Sequence, residues 1–164
     1  MKSKIIYRGS LSVVILCYVL FAIFPRVVCA GNSLGSVWTF GRSVYGQLGY
    51  NTISTSPGQV QGLNDIVAAA GGEGYTVVVR ADGTVWGWGY NGNKQLGTGS
   101  LGPTPVQVQG NGMSNIRAIA AGTTHVLAID KDGAVWGLGD NVAGQLGDGT
   151  TTSRRIFLTA GSFR

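Results

Sequence analysis

Val37-Trp38, Val85-Trp86 and Val135-Trp136 recur at steps of 48 and 50 residues. The tetrads Gly46-Gln47-Leu48-Gly49, Lys94-Gln95-Leu96-Gly97 and Gly144-Gln145-Leu146-Gly147 keep the same two steps. The two-residue difference has an address. Pro57 and Pro105 are still 48 apart while Ile66 and Ile116 are 50 apart, so the second copy is longer in the loop at 109–115. A period of this size, rich in Gly and short apolar alternations, demands a stack of similar units rather than one irregular core.

The second copy spells out the unit. Tyr75–Arg80 is a β-branched run, and Ala81-Asp82-Gly83 is a tight-turn signal. In the following strand, 84–90, Trp86 and Trp88 project to one face and Gly87 and Gly89 to the other. Bulk on one face and close approach on the other suits a sheet with a near neighbour. Asn91-Gly92-Asn93 turns the chain into Gln95-Leu96-Gly97. Pro103-Thr104-Pro105 then introduces the alternating Val106-Gln107-Val108, and Ile116–Ala121 is expected to close the unit. The third copy follows: 125–129 matches 75–79, Asp132-Gly133 matches Asp82-Gly83, and 156–158 matches 106–108. Four short strands per unit, no helical period and Gly at the corners predict an all-β fold of β-propeller blades. The units are placed at about 35–82, 83–132 and 133–164. On that division the first begins late, at Gly35, with the N-terminal segment where an earlier strand is expected, and the third ends before its closing apolar strand.

Residues 120–129 and 132–139, followed by Gly144-Gln145-Leu146-Gly147, resemble the regulator of chromosome condensation repeat. The resemblance covers essentially all of 35–164 and implies blades of a propeller that normally closes with seven. The chain departs in count, with under three units, and at Tyr75, where the repeat usually has His.

The N-terminus reads differently. Residues 1–10 carry Lys2, Lys4 and Arg8 and no acid, 11–24 are free of charge, and Arg26 and Val28-Cys29-Ala30 follow. A basic start, a short apolar stretch and a small-residue site predict a secretory signal peptide cleaved after Ala30. The rival is an uncleaved anchor at 5–24, but the charge-free run is shorter than the roughly 20 residues a spanning helix needs. The expected location is therefore secreted or extracytoplasmic, with membrane attachment only if the segment stays. Four of the 12 basic residues (Lys2, Lys4, Arg8, Arg26) and both cysteines lie there, so residues 31–164 carry a net charge of +1 and no thiol. A near-neutral domain predicts no nucleic-acid partner.

An open stack leaves two blade faces uncovered. Four strands about 4.8 Å apart and about 17 Å long present on the order of 300 Å² per face. Two faces total on the order of 600 Å², the upper end of what a soluble monomer exposes in one patch. Repeats bury their core only against neighbours. The sequence is then a fragment or remnant of a longer propeller protein, or a homo-oligomer in which several chains complete one propeller.

Catalytic chemistry finds little support. His125 is the single histidine, its repeat counterpart is Tyr75, and no second ligand or nucleophile lies near it in sequence. It reads as a bracing residue of the blade. Asp130, Asp132, Asp140 and Asp148 lack the ligand spacing and closing Glu of a Ca²⁺ loop, and Asp132-Gly133 repeats Asp82-Gly83 as a hairpin turn. Gly87-Trp88-Gly89 has no following helix or Lys to make a phosphate loop. No enzyme activity, cofactor or metal is expected; Glu73 is the one glutamate. Trp38, Trp86 and Trp136, with Gly49, Gly97, Gly147 and His125, are structural repeat positions.

Function is left to the parts of the loops that do not repeat. Arg42, Tyr45, Tyr50, Tyr90, Asn91, Asn93, Lys94, Asp140 and Asn141 fall just after the Trp strand, where copies differ. Loops on a rigid scaffold are where contact residues concentrate. The expected function is an exported, non-enzymatic repeat protein that binds a protein partner through these loops. The resemblance also implies an alternative, a guanine-nucleotide exchange factor for a small GTPase, against which the export segment and the low blade count argue.

Overall fold

The computed structural model describes residues 4–8, 14–17, 35–51, 53–97, 102–110 and 112–161, with 4–8, 14–17 and 158–161 as backbone. These residues form strands and turns, with no helix among them. The first sheet holds β1 (Lys4–Arg8), β2 (Val14–Cys17), β3 (Ser36–Gly41) and β4 (Ser54–Gln59) in the order β2-β1-β3-β4. The second runs β5 (Ile66–Gly71), β6 (Tyr75–Arg80), β7 (Val85–Gly89), β8 (Gly102–Gln107) in sequence order. The third repeats this with β9 (Ile116–Ala121), β10 (His125–Asp130), β11 (Val135–Gly139) and β12 (Arg154–Gly161). All strand pairs are antiparallel. The chain is all-β, a run of propeller blades.

The turns explain why the strands stop where they do. Asp82 accepts hydrogen bonds at Oδ1 from the Thr84 amide (2.9 Å) and hydroxyl (2.6 Å), fixing the β6–β7 turn. Gly83 has φ +80°, and a Cβ there would lie 2.6 Å from Asn115 Cα, so the turn has no room for a side chain.

The apolar runs fall on the other side of the blade boundary from that expected. Ile66–Gly71 and Ile116–Ala121 do not close a unit; each pairs forward, with β6 and with β10, and opens the next sheet. The cause is local. Only three residues separate each run from the strand after it, and the turns are pinned by Gly72 N–H to Tyr75 O (2.9 Å) and Gly122 N–H to His125 O (2.8 Å). The third sheet consequently has its four strands.

In the first sheet, Lys4–Arg8 occupies the place of the expected earlier strand. Ile6 pairs with Trp38 as Val78 pairs with Trp86 and Ala128 with Trp136. The connection that takes four residues in the other two sheets (81–84, 131–134) spans 9–35 here and includes β2. Most of the segment read as an export signal (1–3, 9–13 and 18–30) lies outside the described residues.

The core sits between sheets, in two layers. Val37, Val60 and Leu63 meet Ile66, Val78 and Trp88 between the first and second. Val77, Val79, Val85 and Leu96 meet Ile116, Ile119, Val126, Trp136, Leu138 and Phe157 between the second and third. β6 is thus buried on both faces from Tyr75 to Val79. The glycine face of β7 is used as expected: a Cβ at Gly87 would lie 2.6 Å from Leu96 Cδ2, so its absence lets Leu96 cover the sheet.

Candidate partner-contact surface

The loops after β3, β7 and β11 share one frame. Two successive turns run through each: Gly46 N–H to Ser43 O (3.3 Å) and Gly49 N–H to Gly46 O (2.9 Å), with Lys94 and Gly97, then Gly144 and Gly147, doing the same. The Gln of each tetrad folds back so that its Oε1 accepts from the amide two residues earlier, Tyr45, Asn93 or Ala143, at 2.9, 3.0 and 2.9 Å. Leu48, Leu96 and Leu146 point inward and are buried.

The first two loops also reach the next blade. The Gln47 carbonyl accepts from Thr76 Oγ1 (2.9 Å) and from the buried Trp88 indole (3.0 Å). A Cβ at Gly89 would stand 3.1 Å from Gln47 Cα and 2.5 Å from Gly74 O; at Gly139 the figures are 3.2 Å to Gln95 Cα and 2.5 Å to Thr124 O. Gly89 and Gly139, which end the Trp strands of the second and third sheets, are therefore the seats for the preceding blade's loop.

Of the nine candidate contact residues, the structure separates an outward set from a bracing set. Asn91 and Asn141 are 6% and 0% exposed. Their Oδ1 atoms accept from the Leu96 and Leu146 amides (2.8 and 2.9 Å), so they hold the loop from within. Their recurrence at one repeat position, with Ser43 in the first copy, is the signal that marks them as framework. Tyr50 is half-buried and donates to Thr39 O (2.6 Å), tying its loop back to β3. Asp140 is also engaged: Oδ2 accepts from Gln145 Nε2 (2.9 Å) and Oδ1 from Ser153 Oγ (3.2 Å), and hydrogen bonding led by the Val142 amide holds its pKa below the usual carboxylate value.

Arg42, Tyr45 and Lys94 are exposed, and Tyr90 and Asn93 half-buried. Tyr45 and Tyr90 bring two loops together, with ring centroids 4.9 Å apart and planes tilted by 50°. A Cβ at Gly74 would lie 2.6 Å from Tyr45 Cδ2, so that glycine makes the aromatic pair possible. Val44 and Val142, at equivalent positions in the first and third loops, are 54% and 71% exposed. Sequence reasoning missed both, since a lone Val in a polar loop carries no signal until its exposure is known.

The structural positions behave less uniformly. Trp136 is buried, while Trp38 and Trp86 are half-buried. Trp38 and Trp86 donate to hydroxyls two residues earlier, Ser36 (2.9 Å) and Thr84 (3.0 Å). In the third blade that residue is Ala134, and Trp136 donates instead to Asp130 Oδ2 (2.9 Å), which lowers the Asp130 pKa. Arg80, the counterpart of Asp130, lies 5.8 Å from the Trp86 ring centre. His125 packs over Gly122, where a Cβ would meet its Cε1 at 2.2 Å, and burial pushes its pKa down against a weaker upward pull from Asp140. No group of three His, Cys, Asp or Glu suited to a metal occurs among the described residues.

Four-stranded antiparallel blades stacked through a recurring loop-on-glycine seat define a β-propeller repeat protein. The regulator of chromosome condensation (RCC1) repeat profile matches residues 35–79 and 82–129, and a second profile of the same repeat matches 66–95 and 116–145. The chain belongs to the RCC1 repeat family. Over 96 residues it is 36% identical to the Protein RCC2 homolog of Danio rerio, covering 50% of this chain and 19% of that one. Over 87 residues it is 38% identical to the probable E3 ubiquitin-protein ligase HERC4 of Rattus norvegicus, covering 49% and 8%. It therefore spans about a fifth or less of the length of these relatives. Among solved structures, human WBSCR16 superposes with a TM-score of 0.67 at 22% identity over 85% of this chain and 39% of that one. Prp20p of Saccharomyces cerevisiae, described with its binding to Gsp1p and histones, gives 0.57 at 27% identity over 65% and 27%.

Proposed function

We propose that this chain is an exported, non-enzymatic binding protein whose partner is a protein held by the loops after β3, β7 and β11. The observation that carries the reading is the contrast within those loops. Inward positions repeat, whereas the outward ones become Arg42, Tyr45, Tyr90 and Lys94. Lys94 is the sharpest case. It adopts φ +64° where the other two copies use Gly46 and Gly144, a conformation that costs an L-residue about 1 kcal/mol. An exposed cation kept at a glycine position, beside an aromatic pair, is a contact residue by its chemistry. The basic, then apolar, N-terminus supports export.

The test is site-specific photo-crosslinking in the secreted fraction of the source cells. A photoreactive residue at Tyr45 or Asn93 should give one discrete protein adduct that Lys94→Gly weakens. The same probe at Asp132, in the turn between β10 and β11, should give none. Equal adducts from both places would remove the loop reading.

A second reading has one support: Prp20p, a similar structure, is described as binding Gsp1p. It makes the chain a regulator of a small GTPase, and faster release of labelled nucleotide from Gsp1p on adding this chain is the result that would favour it.

A further inference from the structure

Among the described residues, one buried side-chain nitrogen or oxygen lacks a hydrogen bond: Gln95 Nε2. Gln95 is fully buried, so bulk water does not reach the donor, and a native structure leaves few such groups. Its orientation is fixed. Oε1 accepts from the Asn93 amide at 3.0 Å, and exchanging the two amide atoms would set one N–H against another.

The third loop shows what this donor is built to meet. Gln145 folds back in the same way onto Ala143, and its Nε2 donates to Asp140 Oδ2 at 2.9 Å. The Asp140 carboxylate also accepts from the Val142 amide (3.3 Å), Ser153 Oγ (3.2 Å) and Thr124 Oγ1 (3.4 Å). One repeat earlier the backbone is alike, with φ +64° at Lys94 and +74° at Gly144. There the Gln95 donor and the Gly92 amide are kept, the two hydroxyls become Pro103 and Gly74, and the acid becomes Tyr90. The second loop is a carboxylate site without its carboxylate.

Two further differences suit an acid that arrives from outside. Lys94, exposed, puts a positive charge next to Gln95 where the third loop has Gly144. Gly92 replaces Val142, and the Tyr90 ring lies over it, so that a Cβ there would strike the Tyr90 hydroxyl. Tyr90 is half-buried, and rotamer changes of interface side chains are common on binding.

We propose that an acidic side chain of the partner protein takes this place, its carboxylate accepting from Gln95 Nε2 and the Gly92 amide beside the Lys94 charge, while the Tyr90 ring swings aside to admit it. Hydrogen bonds to an ionised acceptor are the stronger class, and here one of them relieves a donor that the free chain leaves unpaired. The inference rests on the loop-binding reading for its partner and adds the chemistry that the second loop selects.

The test compares three full-length variants in the crosslinking experiment above, with a photoreactive aromatic residue in place of Tyr45. Tyr90→Ala removes the ring and leaves the donors open. Tyr90→Asp and Tyr90→Asn remove the ring and also fill the place, with and without a charge. Both should lower the adduct yield about tenfold below that of Tyr90→Ala. In parallel, acetate is titrated into the Tyr90→Ala protein while the Gln95 side-chain amide is followed by nuclear magnetic resonance. Its signals should shift to saturation there and stay in place in Tyr90→Asp. Equal adducts from all three variants, a loss with Tyr90→Asp alone, or a Gln95 amide that acetate does not move would each overturn the inference. An acetate response with no adduct from any protein would remove the loop reading and the protein source together, leaving a site for free carboxylates.

Discussion

The second and third sheets have the same strand order and almost the same register, yet they experience different surroundings. β6 is sealed on both faces, whereas β10 alternates between buried Val126 and Ala128 and the half-buried Leu127 and exposed Ile129. Burial in this fold is therefore set by whether another of the described sheets packs against the strand, and similar side chains contribute very differently one repeat apart.

Substitutions at paired positions break that comparison most directly. Val77→Asp places an unpaired charge between two sheets and should cost about 4 kcal/mol or more, leaving little folded protein. Ile129→Asp should stay within about 0.5 kcal/mol in the monomer by urea denaturation. Comparable losses at the two positions would mean the third sheet is covered in solution.

Glycines give the next effect. Gly89→Ala meets both a positive φ and the Gly74 carbonyl, so a loss of about 3 kcal/mol is expected. Gly133, at φ +83° with nothing within 4 Å of its added Cβ, should lose only about 1 kcal/mol by the same melts.

Smaller still is the rung between blades. Tyr75→Phe removes a hydroxyl that bridges to the third blade and should cost about 1 kcal/mol; His125→Phe, lacking such a bridge, should cost less than about 0.5 kcal/mol at neutral pH. Acid sharpens the contrast. The folded-state pKa of His125 lies below its ordinary 6.5, so the unfolded chain binds the extra proton first. Stability should then fall as pH drops from about 6.5 through that lower value, and His125→Phe should abolish this early loss. A later loss, below the ordinary carboxylate pKa of 3.8, should remain in both proteins as Asp82, Asp130, Asp140 and Asp148 are protonated.

Much of the fold was legible because three copies check one another. The Trp strands, the Asp-Gly turns and the Gln-Leu-Gly loops each recur, and each is held by contacts within a few residues. The phase of the repeat was not legible. A periodic sequence states the step but not where one sheet ends, and the assignment of Ile116–Ala121 to the third sheet rests on its hairpin with β10. β1 was hidden for another reason: a short basic and apolar run serves equally as an export signal, and its pairing with β3 is a tertiary fact. In the loops, polarity alone placed Asn91 and Asn141 with the outward residues. Their amides satisfy backbone groups that polarity cannot reveal.

The long hairpin between β1 and β3 carries one more consequence. Lys4–Arg8 hydrogen-bonds along β3, while the bond after Ala30 lies inside that same connection. Under the proposed export, a peptidase cutting there would release the partner of Ser36–Gly41 and bare the amides and carbonyls of a strand edge. On that proposal, cutting and folding would thus compete for one strand in time: early cutting would leave the first blade with a vacant lane, and early folding would keep Lys4–Arg8 as structure.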